Sequence, residues 1–452
     1  MSAPTSRAQL LTGWGRTAPT AATVVEASAA EVPGLLRGHP ARGLIARGLG
    51  RSYGDAAQNA GGTVLAPVHG PTSIGRADDG TPLVTAAAGT SLHDLMGELL
   101  AHRLFVPVTP GTRYVTLGGA VAADIHGKNH HRDGSIGQQV VSLDLVTPDG
   151  ELHTVGPDRD PVLFWATIGG MGLTGVVTAV TMRAIPVESA HITVRTERVA
   201  GLDALMRTMR AHDEDYRYSV AWIDTLARGR ALGRSVLTRG DHATRAELEG
   251  AGARDPWRAP GPPRLGVPVT PPGGLVSRPT VRAFNELWFR KAPRDRVGIE
   301  SIASFFHPLD LVDSWNRLYG RGGLVQYQFV VPDHAEAALT DALRLLSDAG
   351  QPSFLAVLKR FAAGNEGLLS FPMSGWTLAL DLPAGRSLGP LFRTLDRLVV
   401  EAGGRLYLAK DSRLTPETFD QMYERADEFR KLRSELDPDG VLRSDLARRL
   451  HL

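Results

Sequence analysis

The stretch Arg47-Gly48-Leu49-Gly50-Arg51-Ser52-Tyr53-Gly54-Asp55 follows directly on a short apolar run, Gly43-Leu44-Ile45-Ala46. Its closely spaced glycines let a chain leaving a strand turn tightly with its N–H groups facing inward, a geometry that cradles a pyrophosphate without requiring a helix start. The run lacks the Lys-Ser/Thr of a P-loop and the spacing of G-x-G-x-x-G, so it favours neither nucleoside triphosphate nor nicotinamide binding. A second glycine cluster makes the first interpretable: Thr109-Pro110-Gly111-Thr112, then Thr116-Leu117-Gly118-Gly119-Ala120-Val121-Ala122-Ala123-Asp124-Ile125-His126-Gly127-Lys128-Asn129. Small residues at 118–120 and 122–123 permit a flat ligand to lie directly on the backbone. A third such element is Phe164-Trp165-Ala166-Thr167-Ile168-Gly169-Gly170-Met171-Gly172-Leu173-Thr174-Gly175-Val176-Val177.

Outward from these loops, strands are expected at 44–46 and 64–65, and a strand runs into a helix over 83–100, with Ser91 as its N-cap. The segment 140–146 turns at Pro148-Asp149-Gly150 into 151–155, a hairpin signal. Helical periodicity recurs at 202–211, 334–348 and 388–402, and strands at 218–223 and 324–331. The mixture lacks a βαβ rhythm and argues for α+β domains. Residues 251–280 hold eight prolines and five glycines, a density at which neither helix nor sheet is expected to persist. The next stretch, 281–291, is amphipathic with a basic rim (Arg282, Arg290, Lys291) and reads either as a helix packed on the body or as a mobile lid touching an apolar ligand or a lipid surface.

Composition narrows the function. The 452 residues, 42% hydrophobic and 22% charged, are an ordinary globular mixture, and a net charge of +2 is too balanced for a protein whose main work is binding nucleic acid. With no cysteine there is no disulfide, thiolate metal site or cysteinyl cofactor bond. No signal-peptide pattern opens the chain and no apolar run approaches the ~18 residues of a membrane span, so a cytoplasmic or peripherally membrane-associated protein is expected, the periplasmic face included. Of 50 basic residues only Lys128, Lys291, Lys359, Lys410 and Lys431 are lysine. A lysine kept against that bias suggests a need for a compact, titratable amine, which arginine cannot imitate.

The two glycine loops, joined by strand-helix-strand, and the element at 164–177 resemble the flavin domain of the vanillyl-alcohol-oxidase-type family. There the first loop binds the FAD pyrophosphate and the second runs along the flavin. Ala123-Asp124-Ile125-His126-Gly127-Lys128-Asn129-His130-His131, Val325-Gln326-Tyr327-Gln328-Phe329 and Leu406-Tyr407-Leu408-Ala409-Lys410-Asp411-Ser412-Arg413 narrow the resemblance to that family's polyprenylphosphoryl-ribose 2′-oxidases, from 13–15 to 448–450. The resemblance implies a two-domain α+β flavoprotein. Its FAD domain comes from both chain ends, 1–189 and 405–452, around a substrate domain with an antiparallel sheet at 190–404 that carries a flexible loop at 255–296.

It further implies FAD-dependent oxidation of the 2′-hydroxyl of a polyprenylphosphoryl pentose to a ketone, the first half of an epimerisation toward the arabinose donor for cell-wall arabinan. A separate NAD(P)H-dependent reductase subunit would complete it, and peripheral membrane contact would deliver the lipid. The implied cofactor-binding residues are Arg47, Gly48, Leu49, Gly50, Arg51, Ser52, Tyr53 and Gly54 in the first loop. In the second they are Gly111, Thr116, Leu117, Gly118, Gly119, Ala123, Asp124, Ile125 and His126, joined by Val177 and Tyr407. Many relatives have a histidine bonded to the flavin where this chain has Arg51, so non-covalent FAD is expected.

Lys410, His126 and Tyr53 are the implied catalytic group. Lys410 serves as base or charge stabiliser, and Tyr53 positions flavin or substrate. Gln328, Gln326, Lys359, Lys128, Thr377 and Phe306 are the implied substrate-binding residues, with Lys359 meeting the phosphate. Thr377 and Phe306 replace the asparagine and tyrosine of relatives. No metal is expected: His126, His130 and His131 are interrupted by Gly127 and lack an acidic partner at ligand spacing. Two rival readings are an aldonolactone- or alditol-type oxidase acting on a small polyol, and a flavin-binding partner of a reductase without turnover. A small polyol needs neither a lid nor a cationic phosphate site.

Overall fold

The computed structural model describes residues 5–250, 256–263 and 265–452. The first glycine loop leaves a four-stranded sheet of β1 (Thr5–Leu11), β2 (Thr20–Glu26), β3 (Leu44–Ala46) and β4 (Thr63–Leu65), in the order β1-β2-β4-β3. β2, β4 and β3 run parallel. Leu44 and Ile45 are fully buried, which is why so short an apolar run holds as a strand. A second sheet, β5 (Thr72–Arg76), β6 (Pro82–Ala87), β7 (Val140–Val146), β8 (Leu152–Val155) and β9 (Val176–Arg183), is antiparallel in the order β5-β6-β9-β7-β8. Its β7–β8 hairpin turns at Gly150, φ +78°, with the Asp149 carboxylate accepting from Thr147 Oγ1 at 2.6 Å and Glu151 N–H at 3.0 Å. Helix α1 (Leu92–Ala101) starts at the Ser91 cap and buries Leu92, Leu95, Met96 and Leu99 along one stripe.

The third sheet has eight strands, all antiparallel: β10 (His191–Val199), β11 (Tyr218–Ile223), β12 (Ser235–His242), β13 (Asp295–Ser301), β14 (Leu324–Val331), β15 (Ala356–Phe361), β16 (Gly375–Pro383) and β17 (Arg405–Leu406). Their order is β13-β10-β12-β11-β15-β16-β14-β17. Helix Leu202–His212 packs against β10 and β12, and helix Leu388–Glu401 against β14. The molecule is an α+β protein, and the strands at 218–223 and 324–331 fall where the alternation placed them.

Within 255–296, expected as a flexible loop, the described residues up to 277 are largely irregular, and of the two readings of 281–291 the packed helix is the one observed. Residues 255 and 264 lie outside the described residues, but 278–291 form a helix, 265–266 pair with 312–313, and 295–296 begin β13. Proline here punctuates instead of forbidding: Pro279 stands in the first helical turn, where its missing N–H costs nothing, after the Ser277 cap. The helix is pinned by Asn285, fully buried, whose amide donates to Asp224 at 2.7 Å, and by Arg234, which pairs with both Asp224 (2.6 Å) and Glu286 (2.8 Å).

The last described residues return to the first loop. Leu44 N–H donates to Val441 O, and Arg443 N–H to Leu44 O. Arg449 forks onto Asp55 at 2.8 and 2.7 Å and onto Asp411 at 2.8 Å, clamping the end of the glycine loop to the segment that carries Lys410.

Candidate active site

The glycine loop folds over its own brace. The Arg47 guanidinium donates to Ala57 O (2.9 Å) and Thr12 O (2.7 Å), and it lies so close beneath Gly50, φ +65°, that a Cβ there would meet Nη2 at 2.4 Å. Among the described residues, the N–H groups of Gly48, Leu49 and Gly50 find no acceptor. Gly48 packs on the Thr116 hydroxyl, where a Cβ would come within 2.3 Å. Thr116 in turn caps helix α2 (Leu117–Ala122), accepting from Gly119 N–H at 3.2 Å. The two loops therefore touch, and both open on one cavity of about 1260 Å³. That exceeds the ~300–1,000 Å³ of drug-sized sites and suits a dinucleotide together with a substrate.

At the other end of the cavity, polar side chains from several strands converge. Gln328 donates its amide to His126 Nε2 at 2.9 Å, which places the imidazole proton on Nδ1. His126 is packed between Phe361 and Tyr407 at 4.8 and 5.2 Å, and burial holds it well below the ordinary histidine range, hence neutral. Tyr53 OH donates to Asp381 at 3.5 Å, and the Gln326 amide donates to the same carboxylate. The Lys410 ammonium sits 4.2 Å from the Tyr53 ring centroid. Burial lowers the Lys410 amine and raises the Asp381 carboxyl, while each group's charge favours the charged form of the other. Burial and the neighbouring Lys128 and Lys410 push the Lys359 amine down to about 7. Lys128, which donates to Phe305 O, is pushed down to about 8 by burial, opposed by Glu300. Four of the five lysines, Lys128, Lys291, Lys359 and Lys410, line this one cavity.

Of the residues singled out from the sequence, Gly48 to Tyr53, Gly111, Thr116, Gly118, Gly119, Ala123, Ile125, His126, Val177 and Tyr407 line the cavity. So do Lys128, Phe306, Gln326, Gln328, Lys359 and Lys410. The Arg47 side chain also reaches the cavity wall, with its donors spent on the brace. Four of the expected residues stand outside the cavity lining. Leu117 is a core residue of α2. Asp124, at φ +40° and fully buried, is a clasp that accepts from Gly137 N–H, Asn365 and Ser370 behind the second loop. Gly54 lets the backbone pass Asp411 O, which a Cβ would meet at 2.0 Å. Thr377 stands one layer back, donating to Phe329 O at 2.9 Å and receiving the Gln328 amide at 3.4 Å. Of the three histidines, His126 and His130 both pack on Phe361, His130 at 4.3 Å, while His131 Nε2 meets Tyr216 O at 3.0 Å.

Comparison with known proteins agrees with this geometry. Residues 20–156 match the FAD binding domain family, and 357–450 match the D-arabinono-1,4-lactone oxidase family. The chain is 45% identical to the decaprenylphosphoryl-β-D-ribose oxidase of Mycolicibacterium smegmatis, over 99% of this chain and 98% of the relative. It belongs to the decaprenylphosphoryl-β-D-ribose oxidase family. A more distant relative is the L-gulono-1,4-lactone dehydrogenase of Mycobacterium tuberculosis, 24% identical over 95% of each chain.

The residues of this family member fit FAD. The unspent N–H groups of Gly48, Leu49 and Gly50 suit a pyrophosphate, and the first turn of α2, bare of side chains at Gly118 and Gly119 where it lines the cavity, leaves room for a flat ring. The Arg51 guanidinium, in the same loop, stacks 4.0 Å over the Trp14 ring. Sequence reading passed over Asp381, although a lone carboxylate in the apolar run Thr377-Leu378-Ala379-Leu380-Asp381, two residues beyond Ala379 on the cavity side, was a usable signal. It also missed the apolar wall formed by Val194, Val220, Trp222, Val236 and Val357, which had no distinguishing pattern beyond strand-like hydrophobicity.

Proposed function

We propose that this protein oxidises the 2′-hydroxyl of a polyprenylphosphoryl-β-D-ribose to the 2′-ketone, using non-covalently bound FAD. The observation that carries the reading is near-full-length identity to a decaprenylphosphoryl-β-D-ribose oxidase, joined to a cavity whose polar end gathers Lys410, His126, Gln328 and Lys359. FAD, when bound, supplies the hydride acceptor. The protein supplies position and proton transfer. Lys359, with Lys128 beside it, offers a cation to the substrate phosphate, fixing the sugar at a set distance from the flavin loops. Gln328, its amide N–H groups spent on His126 and Thr377, offers its carbonyl oxygen to a sugar hydroxyl and fixes neutral His126 beside it. Lys410 Nζ takes the hydroxyl proton as the carbonyl forms, its basicity set by burial against the Asp381 charge. Tyr53 and Gln326 hold Asp381 in place for that role.

The rest of the assignment follows from this chemistry. Loops 47–53 and 111–126 hold FAD, and Arg51 leaves it unattached. The division into a flavin part (1–189 and 405–452) and a substrate part (190–404) is the organisation we adopt, with β17 of the sheet drawn from the second flavin segment. A 2′-ketone returns to an alcohol of opposite configuration only through a separate reductase, the partner we assign. Among the described residues no helix is long and apolar enough to cross a membrane. Membrane contact is assigned to the exposed Leu287, Trp288 and Val297 near the cavity mouth.

The test is spectroscopic. Purified protein should be yellow and release its flavin to the supernatant on acid precipitation. Under anaerobic conditions its visible absorbance should bleach with decaprenylphosphoryl ribose. Bleaching by an aldonolactone instead would favour the reading suggested by the match at 357–450. No bleaching by either would favour a flavin-binding partner without turnover.

A further inference from the structure

One face of the eight-stranded sheet forms the cavity floor, and its side chains change character from strand to strand. A single cross-strand row runs Gln328–Ala379–Val357–Trp222–Val236 through successive register pairs. All five residues line the cavity. The row starts at the polar end, where Gln328 is bonded to His126, and is apolar from Ala379 onward. With neighbouring strands ~4.8 Å apart, it extends roughly 19 Å from Gln328 to Val236. Beside it, Trp222 Nε1 donates to Phe354 O at 2.9 Å and Thr238 Oγ1 to Val220 O at 3.2 Å. Phe284 and Trp288 of helix 278–291 also line the cavity, on the helix pinned through Asn285, and the exposed Leu287 and Val297 lie nearby in the chain.

We infer that this row is the track of the polyprenyl chain. The phosphate stops at Lys359, and the first isoprene units cross β15, β11 and β12 alongside Phe284 and Trp288 before the chain leaves at the exposed apolar end of that helix. A hydrocarbon is the occupant the surface selects, because among the described residues the row beyond Gln328 carries one polar side-chain atom, Trp222 Nε1, and it is already bonded to Phe354 O. The inference rests on the lipid-phosphate reading above and assigns the lipid a place within it.

The test compares dimethylallyl- and decaprenylphosphoryl ribose in the flavin-bleaching assay. Val236→Trp puts bulk on the third strand of the track, beyond the reach of a single isoprene unit. It should raise the KM for the decaprenyl substrate at least about tenfold more than for the short one, equivalent to about 1.4 kcal/mol. Equal changes in both KM values, with FAD content intact, would overturn the track.

A second measurement holds if Val236→Trp fails to fold. Decaprenyl phosphate brominated in its first isoprene units should quench indole emission, and the quench should vanish when Trp222 and Trp288 are both replaced by Phe. A quench that persists in that double variant would overturn the track as well. Failure of the unaltered protein to turn over either substrate would instead refute the proposed function.

Discussion

Lys359 gives the most direct handle on phosphate recognition. Buried beside Lys128 and Lys410, its amine is pushed down to about 7, so it is about nine-tenths protonated at pH 6 and about one-tenth at pH 8. The substrate phosphodiester keeps its charge over that range, so any change in recognition belongs to the protein. If the ammonium grips the phosphate, its loss lowers kcat/KM, which reports the free enzyme, roughly tenfold between pH 6 and pH 8, a limb superposed on the rise that deprotonation of the Lys410 base brings over the same range. In kcat this limb is shallower, because bound phosphate draws the Lys359 amine back toward its charged form. Lys359→Arg keeps a charge throughout and should flatten this limb. Lys359→Met should flatten it too, at a level lowered by roughly ten- to a hundredfold, the loss expected for a hydrogen bond to a charged group worth about 1.5–3 kcal/mol. The assay is initial-rate turnover with a dye acceptor from pH 5.5 to 9, with FAD content measured alongside. A limb of unchanged position in both variants would refute the assignment and shift it to Lys410 or Lys128.

Lys410→Ala should lower kcat by on the order of 10²-fold or more with FAD still bound, and Lys410→Arg should restore little of it, since a guanidinium does not act as a base. Asp381→Asn removes the charge that holds the Lys410 proton, so the acid limb of kcat should move to lower pH, while a merely structural loss would scale the whole profile without moving it. Stability carries its own signature. The unfolded chain keeps the Lys359 proton up to about the ordinary 10.5, but the folded chain keeps it only to about 7, so between those values unfolding takes up protons and stability rises with pH. In urea titrations of the flavin-loaded protein, Lys359→Met should be stabilised relative to the unaltered chain, with a smaller rise in midpoint from pH 7 to pH 9.

The glycine loops were legible because their constraint is local. Gly50 at positive φ and Gly48 against Thr116 are requirements that a few residues express by themselves. Lys410 and Lys359 stood out through scarcity, as lysines in a chain that otherwise writes arginine. Asp124 misled for the converse reason: it sits among ligand-facing residues, but its left-handed backbone turns the carboxylate to Ser370 and Asn365, residues more than two hundred positions away that no local pattern reveals. The same holds for the apolar wall. Val236 and Trp222 read as core, and only the strand order that sets β11 between β12 and β15 turns them toward a cavity. The proline-dense segment was read from composition alone, without weighing that Pro279 falls where a helix accepts it.

The clamp of Arg449 on Asp55 has a consequence for biogenesis. Its two ends are 394 positions apart in sequence, so the dinucleotide loop cannot reach its final shape until that arginine has been synthesised and has crossed back over nearly the whole molecule. Under the proposed function, this long-range latch makes flavin binding and the closing of the chain's two ends a single linked step, so that flavin should protect the 445–450 helix from proteolysis.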